Sequence, residues 1–396
     1  MPWRTATPMS QREKFIDLVL ERRYPVIELC NAFGISEKTG YKWIGRFERE
    51  GRPGLADRSH APHVAPRQLP RSVKKAVISL RELHPSWGPR KLRAALARKE
   101  PDMPWPAAST IGELLRREGM VLSRRRRGSI GKRLDTQLTV ASTPNHVWST
   151  DFKGEFRLAS GPYCYPLTVL DAKSRYLLGC TALFSTASLP VQLVFTRLFQ
   201  KYGVPEVIRS DNGVPFASPN ALGQLSTLSV WWIRLGIRPE RILPGCPQQN
   251  GQHERMHKTL KAEATRPASA TLREQQRRFD RFIREYNTDR PHEALGQELP
   301  ATSYSPSPRS FPARLPRLEY PANVEVRLVS KGMAAWRGKT VWLTKSLDGQ
   351  EVGFERTDTD IWNINFGPLL LGTYHDPSNT FLPEVLWKTH PPAGND

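Results

Sequence analysis

The sequence predicts a multidomain protein: all-α modules first, then a central α/β core, then a small C-terminal β-barrel. Three observations lead there. Apolar residues recur at helical spacing through residues 10–50 and 71–120. Strand-like and helix-like patterns alternate through 143–305. Short alternating runs broken by turns such as Asp348-Gly349 fill 322–385. The length, 396 residues, leaves room for two to four domains.

Composition places the boundaries. Residues 1–55 and 71–120 read as two helical modules, joined by a segment rich in Pro, Gly and Arg. Residues 121–142 form a basic connector holding Arg124, Arg125, Arg126 and Arg127, then Lys132 and Arg133. The core is expected over 143–305. Residues 306–321 are proline-rich and read as a stiff extended linker, and 322–385 as the β-domain.

The net charge is +21 and uneven. Residues 1–140 hold 29 Lys and Arg against 14 Asp and Glu. A basic block of this kind suits a polyanion, and nucleic acid is the usual one. Cys30, Cys164, Cys180 and Cys246 are too scattered for a zinc knuckle or disulfide framework. No run of about 18 apolar residues occurs, so no membrane partner is expected. The N-terminus lacks a secretory pattern, and a cytoplasmic, nucleoid-associated location is the expectation.

In the first module, Val26, Leu29, Cys30 and Phe33 mark one short amphipathic helix, and Gly34 can end it in the left-handed conformation. Ser36 can cap the next helix, which carries Tyr41, Trp43, Ile44 and Phe47. This is a helix–turn–helix layout. Its second helix would enter the major groove, leading with Lys38, Thr39, Tyr41 and Lys42 as DNA contacts. Trp43 belongs to the core by its apolar neighbours. In the second module, RKLRAALARK follows Trp87-Gly88-Pro89. AASTIGELLRREG follows a longer turn and resembles a second reading helix.

In the core, residues 146–157 alternate as a strand with Asp151 in its middle, although Asp is depleted in strands. YPLTVLD and RYLLGCTAL form two more strands, and Asp171 between them reads as a turn residue. A helix over Leu189–Tyr202 ends at Gly203. A short strand then runs into Asp211-Asn212-Gly213, followed by a Trp-rich helix over Ala221–Gly236 and an RPERIL loop. Asn250-Gly251 opens a helix carrying Glu254, Lys258 and Lys261 on one face.

Together the stretches WSTDFKGEF, TVLDAKSRYLLG, IRSDNGVPF, PGCPQQNGQHERMHKTLKAE and YNTDRPHEALGQELPATSY resemble bacterial insertion-sequence transposases that share the retroviral-integrase core. With the helix–turn–helix start, the resemblance covers roughly residues 10–305. It implies a ribonuclease-H-like fold. It also implies that Asp151, Asp211 and Glu254 are the three catalytic acids, holding two Mg2+ ions, with Mn2+ able to substitute. Carboxylate oxygens are the hard ligands magnesium prefers, and two such ions can serve both oxygens of an in-line phosphodiester displacement. Lys258 and Lys261 match positions that hold a DNA end in integrases. The implied partners are double-stranded DNA, as element ends and target, and further copies of the chain in a dimer or tetramer. Between Asp211 and Glu254 lie 42 residues, a longer gap than the family's habit.

Two other readings compete. Residues 253–257 spell His-Glu-Arg-Met-His, a zinc-protease pattern, but Leu260 and Glu263 break its extended form. A DNA-binding regulator with an inactive core is the other, and the presence of all three acids weighs against it.

Overall fold

Helix α1 (Pro8–Leu20) starts at a capping box, in which the Thr7 side chain accepts from the Ser10 N–H while Ser10 returns the bond. The coordinates are a computed structural model and describe residues 7–58, 69–121, 138–218, 221–243 and 246–384, without the side chains of 247 and 248. The chain divides into two compact units, Met1–Pro70 and Arg71–Asp396.

The first unit packs α1 with α2 (Val26–Ala32) and α3 (Glu37–Glu50). Gly34 sits at φ +66°, the left-handed conformation expected just beyond the end of α2. Ser36 caps α3 through the Thr39 N–H. Phe15, Ile16, Leu29, Cys30, Trp43 and Leu55 form the core, so Trp43 is structural, as expected. Gly40 lets the helices touch, since a Cβ there would lie 2.4 Å from Cys30 Sγ.

The second unit begins with α4 (Arg71–Leu83), α5 (Pro89–Lys99) and α6 (Ala108–Arg117). Leu92, Leu96, Ile111 and Leu115 are buried among them.

A six-stranded mixed sheet follows: β1 (Val147–Phe152), β2 (Phe156–Arg157), β3 (Tyr163–Asp171), β4 (Leu177–Leu183), then, after α7 (Ser188–Tyr202), β5 (Val207–Ser210), and, after α8 (Thr227–Arg234), β6 (Arg238–Arg241). The order is β2-β3-β1-β5-β6, with β4 on the free side of β3. Pairing is antiparallel from β4 to β1 and parallel from β1 to β6. This is the ribonuclease-H-like arrangement.

Alternation sorts the side chains to two layers. Trp148, Leu167, Val169 and Leu178 meet Phe195, Phe199 and Trp232 of α7 and α8. Cys164, Leu170, Leu177 and Cys180 meet α9 (Gly251–Ala264) and α10 (Leu272–Thr288) through Met256, Leu260, Phe279 and Phe282. Each such fully buried apolar side chain contributes about 1.5–3 kcal/mol.

Three expectations change. The strand read over 146–157 is two strands, separated by a turn where Gly154 takes φ +84°. The Trp-rich helix is shorter, α8 preceded by a 3-10 turn over Leu222–Gln224. The RPERIL loop is strand β6. Its charges concealed it, because Glu240 and Arg241 are buried but paired: Glu240 with Arg209 at 2.7 Å, Arg241 with the Phe216 carbonyl at 2.8 Å.

After the short α11 (Pro300–Ser303), the proline-rich segment is extended, as its composition suggests, and is fastened to the core. The Arg309 carbonyl accepts from Val204 N–H at 2.7 Å, and Arg234 donates to the Pro316 carbonyl. Seven antiparallel strands then curl into a near-closed barrel: β7 (Val324–Ser330), β8 (Met333–Trp336), β9 (Lys339–Trp342), β10 (Glu351–Asp358), β11 (Ile361–Phe366), β12 (Leu369–His375) and β13 (Thr380–Pro383). Trp336, Phe354, Phe366 and Tyr374 fill it, and Leu225, Val230 and Ile233 extend the same cluster into the core domain.

Candidate active site

Strand β1 is where antiparallel pairing changes to parallel. In such sheets, the crevice at the carboxyl ends of the strands is the usual place for ligands. Asp151 is the second-last residue of β1, and Asp211 directly follows β5. Their parallel register pairs Val147 with Val207 and Ser149 with Arg209. Continued by two residues, it brings Asp151 level with Asp211, one strand spacing apart. Asp211 is held by its own turn, its Oδ1 accepting the Gly213 N–H at 3.1 Å. Asn212 donates to the Ile242 carbonyl at 2.8 Å and ties that turn to the end of β6.

The electrostatics reflect the crowding of two acids in a half-buried place. Burial, and secondly the Asp211 charge, push the Asp151 carboxyl up to about 7. Lys153 and a backbone bond from Phe152 oppose the rise, and Glu254 adds to it weakly. Arg241 stands beside Asp211; burial lowers its guanidinium to about 10, and the Asp211 charge resists that fall.

Helix α9 carries Glu254 in its first turn, with Lys258 and Lys261 one and two turns on, all three exposed. Glu254 is near enough for its charge to bear on Asp151. Among the described residues no three His, Cys, Asp or Glu side chains converge closely enough to hold a metal ion. Asp151 and Asp211 suit a hard divalent cation, being adjacent carboxylates with a repulsion that such an ion would relieve.

The two histidines of the zinc-like pattern have another role. His253 is fully buried and His257 nearly so. Ser149 Oγ lies 2.9 Å from His253 Nδ1, and Thr168 Oγ1 lies 2.7 Å from Nε2 of both rings. Thr168 also donates to the Asp151 carbonyl at 2.9 Å. A hydroxyl has one hydrogen and two lone pairs, so the network closes when both rings carry hydrogen on Nε2 and Ser149 donates to His253. Burial, first of all, lowers His253 to about 3 and His257 to about 2, so both are neutral. The His257 Nδ1 lone pair is left facing Asp151 Oδ2 at 3.8 Å. Both rings are thus engaged in joining α9 to β1 and β3, which leaves the protease reading without support.

Lys153 was missed by sequence reasoning. It lies two residues beyond Asp151, just past the end of β1, a closeness that could have drawn notice. Burial and the neighbouring Lys261 and Arg266 charges lower its ammonium. It therefore gathers with them into a basic border beside the two acids. Asp171, read as a turn residue, is the last residue of β3, from which the turn starts, and it is fully buried. Its carboxylate accepts from Ser174 N–H and Oγ and from Asn145 N–H at 2.6–2.7 Å.

Of the anticipated DNA contacts, Lys38, Tyr41 and Lys42 are exposed on the first turns of α3, and Thr39 is half-buried against its cap. Lys42 rests its ammonium over the Trp43 ring. Arg124, Arg125, Arg126 and Arg127 lie outside the described residues. No helix among the described residues is long and apolar enough to cross a membrane.

Comparison with known proteins adds family relationships. Models of an integrase core domain match residues 141–247 and 235–300. A helix–turn–helix domain model matches residues 11–63, and a homeodomain-like domain model matches 39–115. A protein of insertion element IS407 from Burkholderia multivorans is 29% identical over 189 residues, covering 47% of this chain and 65% of that protein. The Gag-Pol polyprotein of baboon endogenous virus is 28% identical over 201 residues, covering 49% of this chain and 11% of the polyprotein. The chain thus spans less than two thirds of the length of either relative. Among solved structures, a chain of the simian T-cell lymphotropic virus intasome in complex with the PP2A regulatory subunit B56 gamma aligns over 74% of this chain and 97% of its own length. Identity there is 16% and the TM-score 0.37. The HTLV-2 integrase catalytic core in complex with magnesium aligns over 42% of this chain at 15% identity and a TM-score of 0.33. Helix–turn–helix domains thus stand ahead of an integrase core domain, and the chain is similar to an insertion-element protein and to retroviral Pol polyproteins.

Proposed function

We propose that this protein is a DNA transposase. It binds the terminal inverted repeats of a mobile element, cleaves DNA at the element ends and joins the 3′-hydroxyls to target DNA. The observation that carries this reading is the placement of Asp151 and Asp211 at the ends of adjacent parallel strands, beside the helix that bears Glu254.

Asp151 and Asp211 would hold two Mg2+ or Mn2+ ions, with Glu254 completing the set from α9. Such ions supply charge neutralisation at the attacking and leaving oxygens of phosphoryl transfer. The neutral His253–Thr168–His257 network keeps α9 registered against the strand of Asp151 without adding positive charge. Lys153, Lys258 and Lys261 offer cations to the phosphate backbone at the rim of the site. The exposed first turns of α3, with Lys38, Thr39, Tyr41 and Lys42, read the element end. Residues 71–120 and the Arg124–Arg127 run lengthen that footprint, as tandem modules do. Two ends must be brought together, so the working form is a multimer, with one subunit's core acting on the end bound by another. The same reading places the protein on the nucleoid, in the cytoplasm.

A strand-transfer assay on duplex oligonucleotides ending in the element's repeats tests the proposal. Product should require Mg2+ or Mn2+ and vanish in Asp151→Asn and in Asp211→Asn, while DNA binding persists. Full strand transfer by either variant would overturn the assignment. A DNA-binding regulator with an inert core would bind the repeats and give no product under any metal.

A further inference from the structure

Between α5, α9, the end of α10 and the loop after Arg290 lies a cavity of about 470 Å³. It is on the other side of α9 from the acids: Arg255 and Thr259 line it, while Glu254, Lys258 and Lys261 do not. Its charge is lopsided. Lys91, Arg175, Arg255 and Arg290 line it, against one carboxylate, Glu293. That carboxylate pairs with Arg90, at 2.5 Å.

Among the described residues, Arg290 alone of the four cations has an ion-paired acidic partner, Glu263 at 3.0 Å. Lys91 donates to the Pro291 carbonyl at 2.7 Å and Arg175 to the Ala172 carbonyl at 2.8 Å. Backbone carbonyls orient these groups without neutralising them. The Arg255 guanidinium makes no hydrogen bond or ion pair among the described residues and lines the same space. Lys91, Arg175 and Arg255 thus line one cavity with no ion-paired carboxylate among the described residues, an arrangement that an anion would relieve. Burial and the Arg290 charge already lower the Lys91 ammonium to about 8. Burial lowers His292 to about 3, so that ring adds no charge. Tyr286, also on the wall, has its phenol pushed up to about 12 by burial and remains a donor.

We propose that this cavity is an anion site that seats one phosphate group on Lys91, Arg175 and Arg255, and that the phosphate is a phosphodiester of bound DNA. Two planar guanidiniums, one ammonium and a phenol are the donors a tetrahedral oxyanion uses. The site joins the second helical module to the core, because Lys91 is the only lining residue from α5 and Arg175 and Arg255 belong to the core. One phosphate held there would fasten the module's DNA to the catalytic domain. That DNA assignment rests on the transposase reading; the anion site itself does not.

Two measurements on the full chain test it. The first compares unfolding midpoints in inorganic phosphate and in chloride at matched ionic strength. Phosphate should raise the wild-type midpoint above that in chloride, and Arg255→Gln and Lys91→Met should each abolish the difference. Arg255 is exposed, so its variant retains the fold even if Lys91→Met does not. The second is a salt titration of duplex binding. Each lost phosphate contact should flatten the log–log slope by about 0.9 for Arg255→Gln. A phosphate effect with an unchanged DNA slope would mean that the cavity takes a small free anion, overturning the DNA assignment. No phosphate-specific effect would overturn the site. Strand transfer is scored separately, so an inactive protein that passes both measurements would sink the transposase reading and leave the anion site standing.

Discussion

Replacing Asp151 with Asn should stabilise the metal-free protein while removing its chemistry. Asp151 has its carboxyl raised from 3.8 to about 7, chiefly by burial and then by Asp211. The native state therefore holds the proton more tightly than the unfolded chain. Stability from this group is fully present below pH 3.8 and is lost as pH rises through 7. At about 1.4 kcal/mol per unit, the loss approaches about 4 kcal/mol at pH 8. At pH 5 roughly 1.6 kcal/mol of it has accrued, because there the unfolded carboxyl is ionised and the native one is not. Relaxation and water entry reduce such costs. A gain of about 2 kcal/mol for Asp151→Asn at pH 8, shrinking below about 1 kcal/mol at pH 5, is the expected result. Urea unfolding in chelator at pH 5 to 8 measures it, followed by the fluorescence of Trp148, Trp231 and Trp232 in the core cluster. Magnesium should then raise the wild-type midpoint at pH 8 and close the gap with the variant. A pH-independent difference, or a variant less stable at pH 8, would refute the reasoning.

Three further outcomes are expected. His253→Ala removes a fully buried ring, takes the histidine partner from the Ser149 hydroxyl and one of three bonds from Thr168, so it should destabilise the core by roughly 2–4 kcal/mol and be unmoved by zinc; a zinc-dependent rescue in thermal unfolding would restore the protease reading. Gly40→Ala drives a Cβ to within 2.4 Å of Cys30 Sγ and should cost the first unit roughly 1–3 kcal/mol, read as a lowered midpoint and weaker duplex binding. Lys261→Ala removes a cation that bears on Lys153. It should raise the Lys153 titration midpoint, measurable by NMR of labelled lysine, and weaken duplex binding several-fold at low salt but less at high salt.

The sequence alone placed Asp151 on a strand, Asp211 at a strand end and Glu254 on a helix, in that order. Local pattern suffices for that, because strand alternation, an Asx turn and a Gly-opened helix are written in consecutive residues. The helix–turn–helix, the capped helices and the curled C-terminal sheet were legible for the same reason. Strand β6 was not, since Glu240 and Arg241 look like loop residues until Arg209 and the Phe216 carbonyl are known to receive them. Only the tertiary structure decided that the strands leading to Asp151 and Asp211 run side by side, through the β1–β5 register, and that the charges of Asp211 and Glu254 bear on Asp151. It also turned the His-Glu-Arg-Met-His pattern inward. Spacing of four places both histidines on one helix face, but whether that face meets solvent or the sheet depends on Ser149 and Thr168, each more than 80 residues away. The basic cavity is the extreme case. Lys91, Arg175 and Arg255 are far apart in the chain and unremarkable there, and only packing brings their charges to one place.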